Sequence, residues 1–380
     1  MAPVNKPINV CVLGVGLAGL AFHVPFVLAL PEYFKLHAVL ERSPKSEGGK
    51  VKERFDFAPQ VIHRTIEDVC ADPEIQLIIV GTPNETHYDY AKAALNAGKH
   101  VLVDKPITPD AALALELRDL AKSKGLVLYP FQNRRWDSDY LALKSLLALP
   151  PKDPQSLGEL VEFESHMDRY RNELKGTWKD EAKPAAGQMF DLGAHLIDQA
   201  LTLFGRPATV TGIAENTRGL GSPDVDDNFT VTLRYPAGQV SKYPFTAILR
   251  GHILSARAKQ PRFIVRGDKG TYLKFGVDIQ EDQLRAMPSY QEIHGKAYGV
   301  EPESLYGTVD NLREDGSIVE SVWPSKAPGS YQGLFRNVAE SIWGTAEQAV
   351  KWEESALAVQ VIQLAHQSSR EGRTLPVPAA

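Results

Sequence analysis

The first third of the chain alternates short apolar runs with helix-like stretches. The apolar runs predict strands at Ile8 to Leu13, Leu36 to Leu40, Val61-Ile62, Ile75 to Val80, His100 to Val103 and Leu126 to Tyr129. Continuous apolar runs are typical of strands that are buried on both faces of a parallel sheet. The alternation therefore predicts right-handed βαβ crossovers and an α/β domain with a doubly wound Rossmann sheet.

After about residue 131 the pattern changes to longer runs in which apolar and polar residues alternate. These runs predict strands at Leu160 to His166, Thr209 to Ala214, Phe229 to Tyr235, Gln239 to Leu249 and Phe263 to Phe275. A turn at Gly267-Asp268-Lys269-Gly270 makes the last run a predicted hairpin. Helical patterns cover Phe190 to Leu203 and Tyr331 to Gln367, whereas 278–329 reads as loops. We predict a Rossmann domain over residues 1–130 and an α+β domain with an open-faced, mainly antiparallel sheet over residues 131–380.

Composition excludes several classes of protein. The 380 residues include only 2 cysteines, which excludes a disulfide scaffold, and the net charge of -5 argues against nucleic-acid binding. No apolar run approaches the ~18 residues of a membrane span. The segment Met1 to Pro7 lacks the apolar core of a signal peptide. We therefore expect a soluble, cytoplasmic protein with neither a nucleic-acid nor a membrane partner.

The turn after the first strand carries a glycine pattern, Gly14-Val15-Gly16-Leu17-Ala18-Gly19. Alone, this pattern is weak, and a glycine turn without a ligand is the alternative. Here a strand precedes it and a helix follows, as in dinucleotide-binding βαβ units. Glycines let backbone N–H groups approach a pyrophosphate, and the helix N-terminus favours the negative charge. The predicted cofactor contacts in this turn are Gly14, Gly16, Leu17, Ala18 and Gly19.

The end of the second strand gives opposite indications about the cofactor. Glu41 stands where a carboxylate would hold the ribose 2′-hydroxyl, which favours NAD. Arg42 follows and Lys45 is near, and a guanidinium can pair with a 2′-phosphate, which favours NADP. Neighbours on a strand point to opposite faces, so both cannot face the ribose if the strand continues.

Two further strand ends lie on the edge of the sheet where ligands bind. Thr82, Pro83 and Asn84 follow one strand, with His87 shortly after, and a plain Pro-Asn turn is the alternative. Asp104 and Lys105 follow the next, where a partly desolvated ammonium can exchange a proton with a substrate hydroxyl. The alternative for Lys105 is an ordinary surface lysine. We take these residues as candidate cofactor contacts: Thr82, Pro83, Asn84, His87, Asp104 and Lys105.

A third cluster combines a histidine with carboxylates. Asp191, His195 and Asp198 stand at i, i+4 and i+7, which predicts one helical face suited to acid–base chemistry. A buried polar stripe is the alternative, as is a helix N-cap role for Asp191. No further Cys or His ligand stands at helpful spacing, so we predict no metal. Arginines with aromatics near Gln132 to Asp137 and Asp168 to Arg171 could hold hydroxyls or anions, or form structural ion pairs.

Taken in order, these motifs resemble the Gfo/Idh/MocA family of oxidoreductases. The likeness covers nearly the whole chain. The motifs that carry it are the glycine turn, Thr82-Pro83-Asn84 with His87, Asp104-Lys105-Pro106 and Asp191-x-x-x-His195-x-x-Asp198. Asp104 replaces the family's usual glutamate. The stretches Gln132 to Asp139, Asp168 to Arg171 and Phe263 to Glu281 look most similar to the bacterial NADP-dependent scyllo-inositol dehydrogenase branch.

The resemblance implies oxidation of a sugar or cyclitol hydroxyl, or reduction of the ketone. It implies catalytic roles for Lys105, His195 and Asp191, with the substrate held between the two domains. Further implied contacts are Asn133 for the cofactor, and Arg169, Trp136, Asp191 and His195 for the substrate. It also implies a dimer or tetramer formed through the open sheet, and it shifts the expected cofactor towards NADP, with NAD as the alternative. The remaining alternatives are a non-catalytic regulator of the same fold and a dehydrogenase of non-sugar diols.

Overall fold

A computed structural model describes residues 6–379, apart from the side chain of Trp178. The segment 1–5 lies outside the described residues. It is part of the N-terminal stretch for which we expect no signal peptide. Among the described residues the α-helices are, in chain order, α1 Val24–Ala29, α2 Gly49–Phe55, α3 Ile66–Ala71, α4 His87–Asn96, α5 Ala111–Lys124, α6 Ser138–Leu147, α7 Ala194–Phe204, α8 Gln280–Ala286, α9 Tyr331–Trp343 and α10 Trp352–Glu371. None of these described helices is both long and apolar enough to cross a membrane.

The described strands form two sheets. Their bounds are β1 Ile8–Leu13, β2 Phe34–Leu40, β3 Val61–His63, β4 Leu77–Val80, β5 His100–Val103, β6 Leu128–Pro130, β7 Leu160–His166, β8 Thr209–Glu215, β9 Asn228–Tyr235, β10 Phe245–His252, β11 Pro261–Gly267, β12 Gly270–Phe275, β13 Gly307–Leu312, β14 Ile318–Trp323 and β15 Leu375–Pro376. The first sheet has the order β3-β2-β1-β4-β5-β6, and the second has the order β14-β13-β12-β11-β7-β10-β9-β8-β15.

The first sheet is parallel throughout, with the strand order of a dinucleotide-binding fold. Its central strands are almost fully buried because helices cover both faces, which explains their continuous apolar runs. The predicted Rossmann sheet is confirmed. In the second sheet every pair is antiparallel except β7 with β10, so the predicted mainly antiparallel domain is confirmed as well.

Burial alternates along the strands of the second sheet. In β10, for example, Phe245, Ala247 and Leu249 are buried in the core with α7, while Thr246 and Ile248 on the other face are partly exposed. One face of this sheet therefore builds the core and the other is open. The expectation that a second copy of the chain covers the open face stays a prediction.

The chain divides into two compact units whose make-up differs from the predicted single boundary at residue 131. The first unit also contains 279–299 and 330–356, and the second contains 137–278, 300–329 and the chain from Leu357 on. The reason is aromatic packing, since Phe335 of α9 stacks on Phe26 at 4.9 Å and lies 5.9 Å from Phe131 between ring centres. Helix α9 therefore belongs to the core of the first unit.

Two local predictions were wrong. The region 278–329, expected to be loops, contains α8, β13 and β14. Its strands pair through backbone hydrogen bonds although β14 has few buried side chains, so it has little apolar periodicity. The strand expected from Gln239 starts only at Phe245, because Pro236, Gly238 and Pro244 place a turn before it.

Candidate functional site

The three glycines of the first turn have different local requirements. Gly14 has φ +88°, and a Cβ there would lie 2.9 Å from the Gly81 carbonyl oxygen. A Cβ on Gly19 would lie 2.0 Å from the carbonyl oxygen of Gly14, so only glycine lets the helix begin this close to the strand. A Cβ on Gly16 would meet nothing within 4 Å, so the backbone is open to a ligand at that point. This cradle fits the pyrophosphate of a dinucleotide cofactor.

The helix that follows starts in an unusual way. Residues Gly19–His23 form a π-helical segment, which continues as α1. Such segments occur mostly as single turns, frequently at functional sites. Leu17, predicted to contact the cofactor, is 56% exposed at the mouth of this turn.

The end of β2 separates Glu41 from Arg42. The strand ends at Leu40, and the Glu41 side chain is 6% exposed. Its Oε2 accepts a hydrogen bond from the Lys50 backbone N–H in the first turn of α2, at 3.1 Å. The Arg42 side chain is exposed, and it makes no hydrogen bond or ion pair with a described residue. The carboxylate thus serves a helix N-terminus, while the guanidinium remains available to a ligand.

The loop after β4 is held by a buried histidine. In this loop Thr82 Oγ1 lies 2.6 Å from Thr86 Oγ1. His87, 1% exposed, places Nε2 2.9 Å from the Thr82 carbonyl oxygen and Nδ1 2.8 Å from that of Pro106. His87 thus connects the loop after β4 to the turn after β5, and Pro83 and Asn84 lie between these contacts.

The turn after β5 contains a hydrogen-bonded histidine–aspartate pair that sequence reasoning missed. Asp104 Oδ2 lies 3.2 Å from His23 Nε2, and Asp104 Oδ1 accepts a hydrogen bond from the Lys105 backbone N–H at 2.7 Å. Burial works against the charge of Asp104, but the bond to His23 and the nearby charges of His23, Lys105 and His87 hold its pKa below the usual range. The position of His23, four residues after Gly19 on the helix beside the turn, was the available signal.

The segment after β6 is tied into the first unit. Asn133, predicted to contact the cofactor, is 5% exposed. Arg135 pairs with Glu354 at 2.7 Å, so the structural alternative is correct for this arginine. Trp136 is partly buried in the core of the first unit, and its carbonyl oxygen accepts a hydrogen bond from Gln280.

In the second unit, Asp191 and His195 lie on two kinds of helix. Residues Met189–Gly193 form a π-helical segment, and α7 begins at Ala194. The predicted helix from Phe190 is confirmed, but it begins as a π-helical segment, so the i, i+4 spacing of Asp191 and His195 spans a change in helix type. The N-cap of the π-helical segment is Gln188, so the N-cap alternative for Asp191 is also wrong. His195 is 5% exposed and Asp198 is 2% exposed.

The Asp191 carboxylate is paired with lysines that the sequence did not single out. Lys179 Nζ lies 2.9 Å from its Oδ1, and Lys175 Nζ lies 4.0 Å from its Oδ2. Arg169, a predicted substrate contact, donates from Nη2 to Gln188 Oε1 at 2.9 Å. Arg171 forms no ion pair with a described residue, in contrast to the structural alternative. The lysines lie in a loop without periodicity, so the sequence offered no signal for them beyond charge.

Comparison with known proteins identifies the family. The profile described as "Oxidoreductase family, NAD-binding Rossmann fold" matches residues 8–131, and the profile described as "Oxidoreductase family, C-terminal alpha/beta domain" matches residues 153–378. The chain belongs to the Gfo/Idh/MocA family. This Gfo/Idh/MocA member is therefore an oxidoreductase with a Rossmann domain for a nicotinamide cofactor, as the motifs predicted.

Several relatives match this family member over almost their whole length. An uncharacterized oxidoreductase of Schizosaccharomyces pombe is 38% identical, covering 98% of this chain and 99% of its own. The scyllo-inositol 2-dehydrogenase (NADP(+)) IolW of Bacillus subtilis is 34% identical, covering 97% of this chain and 95% of its own. The solved oxidoreductase YvaA of Bacillus subtilis superimposes with a TM-score of 0.87 at 33% identity, covering 100% of both chains.

Proposed function

We propose that this protein is a dehydrogenase of sugars or cyclitols in which hydride passes, when NAD(P) is bound, between the nicotinamide and a secondary hydroxyl or ketone. The supporting relative is IolW, whose name assigns it scyllo-inositol and NADP. The proposed catalytic residues are Lys105, His195 and Asp191.

The observation that carries this proposal is the placement of Lys105. The glycine turn follows β1, the Thr82 loop follows β4 and Lys105 follows β5. Strand β4 pairs with β1 on one side and with β5 on the other, and all three run parallel. Their carboxyl ends therefore share one edge of the sheet. An ammonium group thus lies on the edge that offers the open backbone of Gly16.

The proton chemistry is assigned to two side chains. His195 accepts the proton of the reacting hydroxyl, and the Lys105 ammonium donates a hydrogen bond to the developing alkoxide. Asp191 orients the substrate or His195. In ketone reduction the same groups act in reverse, and His195 returns the proton to the new hydroxyl.

We further propose that NADP is preferred over NAD. The Glu41 carboxylate is buried against the start of α2, so it is drawn away from a role in binding the ribose. Arg42 is exposed, and the guanidinium of Arg64 lies 3.4 Å from the carbonyl oxygens of both Glu41 and Arg42. Two arginines beside one turn suit a 2′-phosphate.

The test is an initial-rate assay at the nicotinamide absorbance band. The purified full chain is offered NAD and NADP with a panel of sugars and cyclitols, and the reduced cofactors with the corresponding ketones. Turnover of at least one polyol or its ketone is expected. Tight cofactor binding by calorimetry without turnover on the whole panel would contradict the proposal. That outcome would favour the regulator or the dehydrogenase of non-sugar diols.

A further inference from the structure

Four basic side chains gather around Asp191, and we call them the cation cluster: Arg169, Arg171, Lys175 and Lys179. Three of them, Arg171, Lys175 and Lys179, line one pocket. Gln188 and Arg218 line the same pocket. The fourth, Arg169, reaches this pocket through its hydrogen bond to Gln188. All of these residues belong to the second unit. The cluster is part of the surroundings of a proposed catalytic carboxylate.

Two of the cations at this pocket are neutralised by ion pairs with carboxylates of the protein. Arg218 Nε lies 2.7 Å from Asp227 Oδ2, and its Nη1 donates to the carbonyl oxygen of Glu173 at 2.6 Å. Arg218 thus fastens the loop and is outside the cation cluster. Lys179 is paired with Asp191 at 2.9 Å. These two cations need no ligand to explain them.

The other three cations have too few acidic partners among the described residues. Arg169 donates to the neutral amide oxygen of Gln188, and its buried Nε has no acceptor. The Arg171 guanidinium makes no hydrogen bond to any residue that the structure describes, and its Nε is likewise buried without an acceptor. Lys175 reaches only Asp191, at 4.0 Å, which Lys179 already neutralises.

Buried guanidinium N–H groups without acceptors are costly, and native proteins seldom leave them so. The repulsion within the cation cluster also acts on the pKa values of its members. Burial and the charges of Lys179, Arg169 and Arg171 lower the pKa of Lys175 to about 8, although Asp191 acts in the opposite direction. Burial and the charges of Arg169 and Arg218 lower the pKa of Arg171 as well.

The nearby carboxyl groups do not cancel this surplus. Asp227 forms an ion pair with Arg218. Asp180 accepts a hydrogen bond from the backbone N–H of Thr177, three residues earlier in the chain. Asp226, which lines the same pocket, is 6% exposed, and burial raises its pKa to about 7, so it carries only part of a charge near neutral pH. The pocket is therefore short of negative charge.

We propose that the substrate is an anionic polyol whose carboxylate or phosphate oxygens bind Arg171, Arg169 and Lys175, while its reacting hydroxyl is handled at Asp191 and His195. This inference rests on the proposed function and specifies its substrate class. An oxyanion in this pocket would accept from the Arg171 guanidinium, which makes no hydrogen bond to a described residue, and would add the missing charge. Carboxylates and phosphates suit the planar donor pattern of guanidinium groups better than neutral hydroxyls do.

The test compares three ligands that differ only in the group at carbon 6 of the sugar: D-glucose, D-glucuronate and D-glucose 6-phosphate. The full chain is saturated with NADP, and the dissociation constant of each is measured by calorimetry, with kcat/KM measured in parallel. We expect at least one anion to bind about 10-fold or more tightly than glucose, and this advantage to shrink as salt is added. The better of the two anions distinguishes a carboxylate from a phosphate ester.

Two variants locate the effect. In Arg171→Gln the ratio of anion affinity to glucose affinity should fall about 10-fold. Arg336→Gln removes an exposed arginine of α9 in the first unit and should keep the wild-type ratio. An unchanged affinity ratio in Arg171→Gln overturns the assignment. Arg171→Lys keeps the positive charge, so a ratio retained in this variant shows that the loss in Arg171→Gln comes from charge and not from misfolding.

The outcomes separate the inference from the proposed function. Equal or tighter binding of glucose overturns the anion site, and turnover of glucose in that case leaves the proposed function standing. Tighter binding of an anion that is never oxidised supports the site and counts against sugar oxidation.

Discussion

The imidazole Nε2 of His23 lies 3.2 Å from the Asp104 carboxylate, and His23 is fully buried. His23 belongs to the π-helical segment after the glycine turn, and Asp104 precedes the proposed catalytic Lys105. This pair links the helix after β1 to the turn after β5. The Nδ1 atom of His23 has no hydrogen-bond partner among the described residues, and its ring contacts Phe131 edge-on at 4.6 Å. One hydrogen bond therefore accounts for the polar interactions of this histidine.

The first prediction concerns that pair. His23→Ala leaves the buried Asp104 without its side-chain donor and should lower the free energy of unfolding by about 3 kcal/mol, the scale for breaking a buried pair. Asp104→Asn in the same background should recover part of the loss, because the amide carries no charge. Urea unfolding of the two single variants and the double variant gives the coupling energy between His23 and Asp104. If the two losses of stability simply add in the double variant, the contact contributes nothing to stability.

A second prediction separates two glycines of the cofactor turn. Gly16→Ala should fold with nearly unchanged stability, since a Cβ there meets nothing within 4 Å, yet it should weaken binding of NADP. Gly19→Ala should destabilise the protein itself, because its Cβ would lie 2.0 Å from the Gly14 carbonyl oxygen. Calorimetric titration with NADP and thermal unfolding measure both. Unchanged NADP affinity in Gly16→Ala would mean that the cofactor does not approach this turn.

The third prediction tests the catalytic residues. Lys105→Met and His195→Ala should each lower kcat by about 100-fold or more, the scale of general acid–base catalysis. NADP affinity should change little in His195→Ala, because in our proposal His195 contacts the reacting hydroxyl and not the cofactor. Lys122→Met, on the exposed side of α5, controls for the loss of one lysine. Wild-type turnover in both site variants would rule out this mechanism.

The fourth prediction concerns cofactor choice. Arg42→Ala should reduce the preference for NADP over NAD by about 1–3 kcal/mol, the scale of hydrogen bonds to charged groups. Glu41→Gln should leave that preference nearly unchanged, because the amide oxygen can still accept the Lys50 N–H. The measurement is kcat/KM for both cofactors in each variant. A wild type that favours NAD, or a change of preference in Glu41→Gln alone, would assign the ribose to Glu41.

The sequence predicted those parts of the fold that are set by local pattern. Strands β1, β5 and β7 have the predicted bounds because an apolar run and its flanking polar residues mark both ends. Thr65 stands one position before α3, where threonine is a preferred cap, and its side chain accepts the Asp68 N–H at 3.1 Å. By contrast, the membership of α9 in the first unit depends on Phe335 meeting rings that are some 200–300 residues away in the chain, which no local pattern encodes.

The site shows the same limit. The glycine turn was found from its spacing, because Gly14 and Gly19 each meet a steric requirement of the backbone between β1 and the following helix. His23 was missed because its partner Asp104 is distant in the sequence. Lys179 was missed because an aperiodic loop separates it from its partner Asp191. The π-helical segment before α7 was missed because a 3.6-residue period was assumed throughout.

The last prediction uses the pH dependence of stability at Asp226. This carboxyl is buried, its Oδ2 accepts the Met189 N–H at 2.8 Å, and burial raises its pKa to about 7. The unfolded chain loses that proton near pH 4 and the folded chain near pH 7. Stability should therefore fall as the pH rises through this window, by at most about 1.4 kcal/mol per pH unit, and level off above it.

Asp226→Asn has no proton to lose and should lack this decline, so its stability relative to wild type should rise between pH 5 and pH 7, a range set by the two pKa values. His366 Nε2 lies 3.7 Å from Asp226 Oδ1, but burial lowers the pKa of His366 to about 4, so this histidine is mostly neutral between pH 5 and pH 7. Asp224→Asn, at an exposed neighbouring position, is the matched control and should show no such trend. Urea unfolding at a series of pH values measures the difference. Parallel curves for wild type and Asp226→Asn would mean that Asp226 is ionised throughout, and the pocket beside Arg171 would then hold more negative charge than we infer.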